Sequence, residues 1–305
     1  MSETTIEHLR TRIGREDDAT PGVDIASCPD IETREANLRA ILLEMASVVV
    51  AYSGGVDSTF LLKVAHETLG EKAIGAIGRS PSLPQTDFQQ AVDLASLWGV
   101  RTHVLETEEM ADVNYTSNSP DRCYFCKSEL YAKLCEFAQQ NGFQWIADGT
   151  NLDDTGDYRP GRVAAEERQV RSPLLEARLT KQDIRALSRR MGLPTWEKPE
   201  AACLASRIPH GIPVTSESLE QIDKAEDFLR SLGLRQVRVR HHETIARIET
   251  AEEEIEKLLD SDVRQQIVNY LRRLGYKFVT VDLAGYHRGS FVPESSQPEL
   301  VQIDA

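Results

Sequence analysis

Apolar positions recur at three- and four-residue spacing from about residue 33, through Leu38, Ile41, Leu42 and Met45, which predicts an amphipathic helix. Residues 46–52 follow as a short, continuous, Val-rich run, the pattern of a strand covered on both faces in a parallel sheet. The same grammar predicts helices over 60–69, 88–98 and 126–140, and strands over 72–77, 101–105 and 145–147. Strands alternating with helices predict an α/β fold, a doubly wound parallel sheet, over residues 33–210. Beyond about Gly211 the pattern changes. A helix over 216–232 precedes a strictly alternating strand over 235–241, with Val237 and Val239 on one face. A second strand over 244–248, a helical stretch over 252–274 broken near 260–262, and a third strand over 277–283 complete a smaller α+β domain, residues 211–305. Residues 1–32 are polar, carry Gly14, Pro21, Gly22 and Pro29, and are expected to be a mobile arm.

The 305 residues agree with a prior of roughly two domains. Lys and Arg number 35 against 49 Asp and Glu, a net charge of −14, which weighs against a protein that lives mainly on nucleic-acid or membrane phosphates. Apolar runs are too short to span a bilayer, and the N-terminus has no apolar leader core. Five cysteines are too few and too odd for a secreted disulfide scaffold, so a reducing, cytoplasmic setting with thiol or metal chemistry is expected.

Ser53-Gly54-Gly55-Val56-Asp57-Ser58-Thr59 lies between the buried strand and the next helix. Two glycines allow a tight turn with inward N–H groups, the helix start adds partial positive charge, and Ser53, Ser58 and Thr59 add hydroxyl donors. The loop therefore fits a pyrophosphate, and it lacks the Gly-Lys-Ser/Thr ending of a Walker A loop. It resembles the PP-loop of the N-type ATP pyrophosphatases, which cleave ATP between the α and β phosphates to activate a carboxylate or carbonyl oxygen with AMP. Asp57 would orient Mg²⁺ or the helix start. Asp148-Gly149-Thr150-Asn151 resembles the later strand-end motif of that fold, placing Gly149 and Thr150 at the nucleotide. Asp153 and Asp154 read either as Mg²⁺ carboxylates or as a solvated turn.

Cys123-Tyr124-Phe125-Cys126 opens a helix, where the dipole favours thiolate; the bland alternative is two free thiols. Cys203 lies in a separate Pro- and Ala-rich loop, and Cys28 and Cys135 are bystanders. No second Cys-x-x-Cys completes a structural zinc site, whereas Cys123, Cys126 and Cys203 with one open position suit a [4Fe–4S] cluster. In Arg238-Val239-Arg240-His241-His242 alternation puts Arg238 and Arg240 on one face, where they either grip a phosphate or protect an edge strand from aggregation. Glu226 and Glu249 flank this region as salt-bridge partners or metal ligands.

Together with Ala202-Cys203-Leu204-Ala205-Ser206-Arg207-Ile208-Pro209-His210-Gly211 and Asp282-Leu283-Ala284-Gly285-Tyr286-His287-Arg288-Gly289-Ser290, these pieces resemble the LarE-type ATP-dependent sulfur transferases from about Glu35 to Phe291. That resemblance implies adenylation of a pyridinium carboxylate mononucleotide with ATP and Mg²⁺, then replacement of carboxylate oxygen by sulfur, for a nickel-pincer nucleotide cofactor. It implies that Ser53–Thr59 bind ATP, that Cys203 handles sulfur, and that Arg238 and Arg240 hold the substrate phosphate. Ser206, Arg207, Glu226 and Glu249 would line the same site. One branch of the family sacrifices the sulfur of a single cysteine at the position of Cys203, leaving dehydroalanine. Cys123 and Cys126 place this chain with the three-cysteine, cluster-dependent branch, which resembles certain tRNA thiolases. A homo-oligomer is expected, and the sulfide source is open. The rival readings are a tRNA thiolase, disfavoured by the acidic charge, an amide synthetase, which would need an ammonia source, and a non-catalytic nucleotide-binding module.

Overall fold

Asp30 accepts a hydrogen bond from the Thr33 amide and so caps helix α1 (Ile31–Met45), whose buried Leu38, Leu42 and Met45 form the predicted apolar stripe. A computed structural model describes residues 30–156, 160–199 and 202–287. Most of the predicted arm, Cys28, Glu200 and Ala201, and Arg288 to Ser290 lie outside the described residues.

After α1 the chain alternates as β1 (Val48–Ala51), α2 (Val56–Leu69), β2 (Ala73–Arg79), α3 (Gln85–Leu97), β3 (Thr102–Glu106), the short α4 (Val113–Thr116), α5 (Arg122–Gln140) and β4 (Trp145–Ala147). The strands pair in parallel in the order β3-β2-β1-β4, with Val48 opposite both Ala73 and Trp145. Val48, Val49 and Val50 are fully buried, as a strand sheathed by helices on both faces requires. Parallel pairing brings the loops after β1 and β4 out at the same end of adjacent strands, so the two predicted nucleotide motifs meet.

The sequence pattern places the start of α2 at Phe60, but the helix begins at Val56. Ser58 and Thr59 look like loop residues in the sequence, yet both are buried in the first turn. Four helices escape the pattern altogether: the short α4, α6 (Pro160–Glu167), α7 (Pro173–Glu176) and α8 (Lys181–Arg190).

The C-terminal elements are α9 (Ser216–Ser231), β5 (Val237–His242), β6 (Ile245–Thr250), α10 (Ile255–Leu259), α11 (Ser261–Arg273) and β7 (Phe278–Val281). β5 and β6 are antiparallel, β6 and β7 parallel. The predicted break falls at Asp260, which caps α11 through the amides of Asp262 and Val263. Val237, Val239, Ala246, Ile248, Ile267 and Leu271 form the core of this half. A separate apolar cluster joins Tyr115 of α4, the Leu204–Ile208 turn and Leu219 and Ile222 of α9, which packs the two halves together. Among the described residues no helix is long and apolar enough to cross a membrane.

Candidate active site

The phosphate loop turns at Gly54, whose φ of +70° favours glycine, and a Cβ there would lie 2.7 Å from Ala91 Cβ on α3. Tyr52 Oη donates to Ala91 O at 3.2 Å, so α3 is packed directly on the loop. Gly55 is the N-cap of α2 and brings no side-chain cap, which leaves the first-turn amides of a 14-residue helix available to an anion. Ser53 and Ser58 hydroxyls lie 3.1 Å apart, and the Ser53 amide donates to Ser58 Oγ at 3.2 Å. Asp57 is held from two sides: Lys181 Nζ lies 2.5 Å from one oxygen and Asn151 Nδ2 donates to the other at 3.3 Å. Lys181 was not singled out in the sequence. Its signal is a Thr180–Asp183 capping box that starts α8 and aims the lysine at the loop.

Gly149 sits where a Cβ would come within 3.0 Å of the Ser58 amide and 3.2 Å of Asp57 Cβ, so the two motifs do converge. Thr150 gives its amide and hydroxyl to Asp148, at 3.1 and 3.0 Å, and Tyr131 and Ser172 donate to the same carboxylate. Asp153 and Asp154 accept from the amides of Lys181 and Asn151, at 2.8 and 3.0 Å, and act as turn residues.

Cys203 is exposed and precedes a single 3₁₀ turn, Leu204–Arg207. Arg207 is almost wholly buried and closes this turn from inside: NH1 donates to Ala202 O at 2.5 Å, Cys203 O at 2.9 Å and Ser206 Oγ at 3.2 Å. Its other side makes a bidentate pair with Glu226, at 2.8 and 3.0 Å. Glu226 also accepts from Arg230 at 2.7 Å and from the Val239 amide at 3.0 Å. Burial alone would raise its pKa, but Arg207, Arg230 and Arg238 outweigh that and hold it below the usual carboxylate range. Arg240 is committed in the same way: it binds Glu249 at 2.9 and 2.8 Å and donates to Ser206 O at 3.0 Å. Both acids therefore serve as arginine partners. β5, although it ends its sheet, is buried along its length, so its arginines are not guards on a solvent edge.

Arg238 donates to Val237 O at 2.8 Å and stacks over Tyr286, 5.4 Å from the ring centre. Burial and the nearby Arg207 charge both push its pKa down. It lines a cavity of about 500 Å³ together with Arg207, Ala202, Lys198, Arg230 and Arg235. Lys198 is a second residue absent from the sequence reading. Its Nζ lies 3.3 Å from Gly54 O and 2.9 Å from Asp87, so one wall of the cavity touches the phosphate loop.

Residues 32–140 match the NAD synthase family. An uncharacterized protein of Synechocystis sp. is 42% identical over 85% of this chain and 97% of its own length. The pyridinium-3,5-bisthiocarboxylic acid mononucleotide synthase of Lactiplantibacillus plantarum is 37% identical over 85% of this chain and 94% of its own. The chain belongs to the LarE family of PP-loop enzymes. A 27% identical protein of Methanocaldococcus jannaschii covers 78% of the chain.

In this LarE-family chain Cys123 and Cys126 lie in the first turn of α5, as expected, Cys123 exposed and Cys126 half-buried. Partial desolvation pushes the Cys123 thiol up although the residue reaches the surface, and burial pushes that of Cys126 up to about 12, against the helix dipole. The opposing pull of Arg122 on Cys123 and of Lys127 on both does not offset desolvation. Cys126 packs against the apolar cluster that contains Leu204 and Ala205, the residues that follow Cys203. Even so, among the described residues no three His, Cys, Asp or Glu side chains converge closely enough to hold a metal ion.

Proposed function

We propose that the protein is an ATP-dependent sulfur transferase that adenylates a pyridinium carboxylate mononucleotide and converts it to the thiocarboxylate, in nickel-pincer nucleotide synthesis. One observation carries this reading: a single cavity is walled by Lys198, which reaches the phosphate loop, and by Arg207 and Arg238 beside the Cys203 turn. An ATP held at Ser53–Thr59 and an anionic substrate held at Arg238 would then meet next to a thiol. The synthase name of the 37% identical relative supports the same substrate class.

The chemistry follows from leaving groups. A carboxylate resists a nucleophile because oxide is a poor leaving group. Attack of its oxygen on the ATP α-phosphorus expels pyrophosphate and leaves an acyl-adenylate, and Mg²⁺ arrives on the ATP phosphates. The open N-terminus of α2 and Lys181 offer positive potential where pyrophosphate charge develops. The Cys203 sulfur then attacks the acyl carbon and AMP leaves, giving a thioester. On a sacrificial course, transfer of the Cys203 α-proton to a solvent base would break the Cβ–S bond, with the electron pair leaving on sulfur, to release the thiocarboxylate and leave dehydroalanine. This sacrificial course needs only Cys203.

A [4Fe–4S] cluster on Cys123, Cys126 and Cys203 is the finer proposal, and it would supply sulfide from an open iron position. The packing of Cys126 against the cluster that contains Leu204 and Ala205, next to Cys203, supports it. As placed, the thiols do not form a ligand set, so no step is derived through the cluster. Anaerobic isolation followed by iron, sulfide and Cys203 mass analysis separates the routes. The cluster predicts about four irons per chain and an intact Cys203 after turnover. A colourless protein whose Cys203 loses H₂S excludes it.

A further inference from the structure

Arg207 and Arg240 hold the Cys203 turn from the side of the C-terminal half, and a second set of contacts holds its far end and the segment that follows it. Asn118 is wholly buried and has a φ of 58°, the left-handed region that Asn tolerates better than most residues. Its side-chain amide donates to the carbonyls of Ile208 at 3.3 Å, Pro209 at 2.8 Å and Ile212 at 2.8 Å. Its backbone oxygen accepts from the Gly211 amide at 3.2 Å, with His210 Nδ1 also 3.2 Å away. Its side-chain oxygen accepts from Arg122, and the same guanidinium nitrogen donates to Ala205 O at 3.0 Å. Arg122 is 5% exposed and has no carboxylate at ion-pair distance among the described residues. It immediately precedes Cys123 in the first turn of α5. Two neighbouring residues thus spend their hydrogen bonds on the segment from Ala205 to Ile212, and one of them starts the helix that bears Cys123 and Cys126.

We propose that Asn118 and Arg122 are positioning residues that fix the Cys203 turn against the start of α5, so that sulfur transfer depends on them and adenylation does not. The inference rests on the sulfur-transferase reading above. Among the described residues, the side-chain hydrogen bonds of Asn118 and Arg122 go to the 205–212 segment and to each other, away from the phosphate loop and the Asp148–Asn151 turn, so the proposal expects ATP cleavage not to depend on them. The sulfur step does need the turn held in place, because a misplacement of about 1 Å costs on the order of a hundredfold in rate.

Two substitutions test this. Asn118→Gly deletes the amide and keeps the left-handed backbone. Arg122→Lys keeps charge and most of the volume but loses the planar fork. In each, AMP and pyrophosphate formation with a pyridinium carboxylate mononucleotide should stay near wild type. Thiocarboxylate formed per AMP should fall by about a hundredfold, and the amides of Ile208 and Ile212, which donate to the Ala205 and Pro209 carbonyls that these two side chains hold, should lose protection from hydrogen exchange. Unchanged thiocarboxylate per AMP would overturn the proposal. So would a parallel fall of both half-reactions in a variant that keeps its melting temperature, or failure of both variants to fold, because each makes the contacts merely structural. If the wild-type protein forms no AMP, the sulfur-transferase reading fails instead, and the exchange of the Ile208 and Ile212 amides still shows whether the two residues hold this segment.

Discussion

Asp57, Arg238 and Arg240 carry three differently placed charges, and each substitution should fail in its own way. Asp57→Ala should abolish pyrophosphate release while leaving the fold intact, because its pair with Lys181 is partly exposed and such pairs contribute about 0–1 kcal/mol. Pyrophosphate release at the normal rate would contradict that role. Arg238→Ala removes a cavity-lining cation and should weaken substrate binding about ten- to a hundredfold, with ATP binding unchanged. Arg240→Ala should instead appear first as instability. It strips Glu249 of its closest partner and frees Ser206 O, a loss of about 3 kcal/mol for a broken buried pair, eased to the extent that Arg247 at 3.1 Å still serves Glu249. Denaturant midpoints and substrate titrations on the same two proteins distinguish them. The sequence placed both arginines on one face, and the structure agrees, but only side-chain partners reveal that one lines the cavity and the other fastens a loop.

At the scale of elements, α9 carries the contact between the two halves. Asp223 accepts from the Gln85 amide at 3.3 Å and Asp227 from Thr86 Oγ1 at 3.2 Å, so two carboxylates of α9 meet the first turn of α3, which itself packs on the phosphate loop. Burial, with the nearby charges of Asp227 and Glu226 added, pushes the Asp223 carboxyl up to about 6. An acid whose pKa is raised on folding destabilises the folded state above that pKa, and the penalty disappears as pH falls through 6 toward its unfolded value. Asp223→Asn should therefore stabilise the protein at pH 8 by about 1–2 kcal/mol, allowing for partial solvent screening. The gain should vanish near pH 4, and thermal melts across that range check it. An equal effect at both pH values would contradict the origin in Asp223. The strands and α1 were legible because their apolar spacing is uninterrupted. Helix α8 was not, since Lys, Arg and Asp crowd its sequence and only Ile184 and Leu187 mark its buried face. Asn118 and Arg122 were invisible for a different reason: their partners lie 83 to 94 positions away, a distance no local pattern spans. For Cys123 and Cys126 the helix start was readable but the desolvation that opposes it was not.

Across the whole molecule, adjacent parallel strands bring the two nucleotide motifs together at one end of the sheet, and the packed junction with the C-terminal half sets the Cys203 turn beside them. The phosphate-loop motif, the fold class and the family were legible; the convergence of Lys198, Arg207 and Arg238 on one cavity required the fold. Under the proposed function, that convergence couples the two reactions, so that ATP cleavage and sulfur transfer would take place on one substrate in one cavity. The most direct test incubates the protein anaerobically with ATP, Mg²⁺ and a pyridinium carboxylate mononucleotide, and follows AMP and substrate mass together. The account predicts AMP formation only when the mononucleotide is present, with oxygen replaced by sulfur in the same molecule and one AMP for each thiocarboxylate. AMP formed equally without the mononucleotide, or a substrate that never gains sulfur, would contradict it.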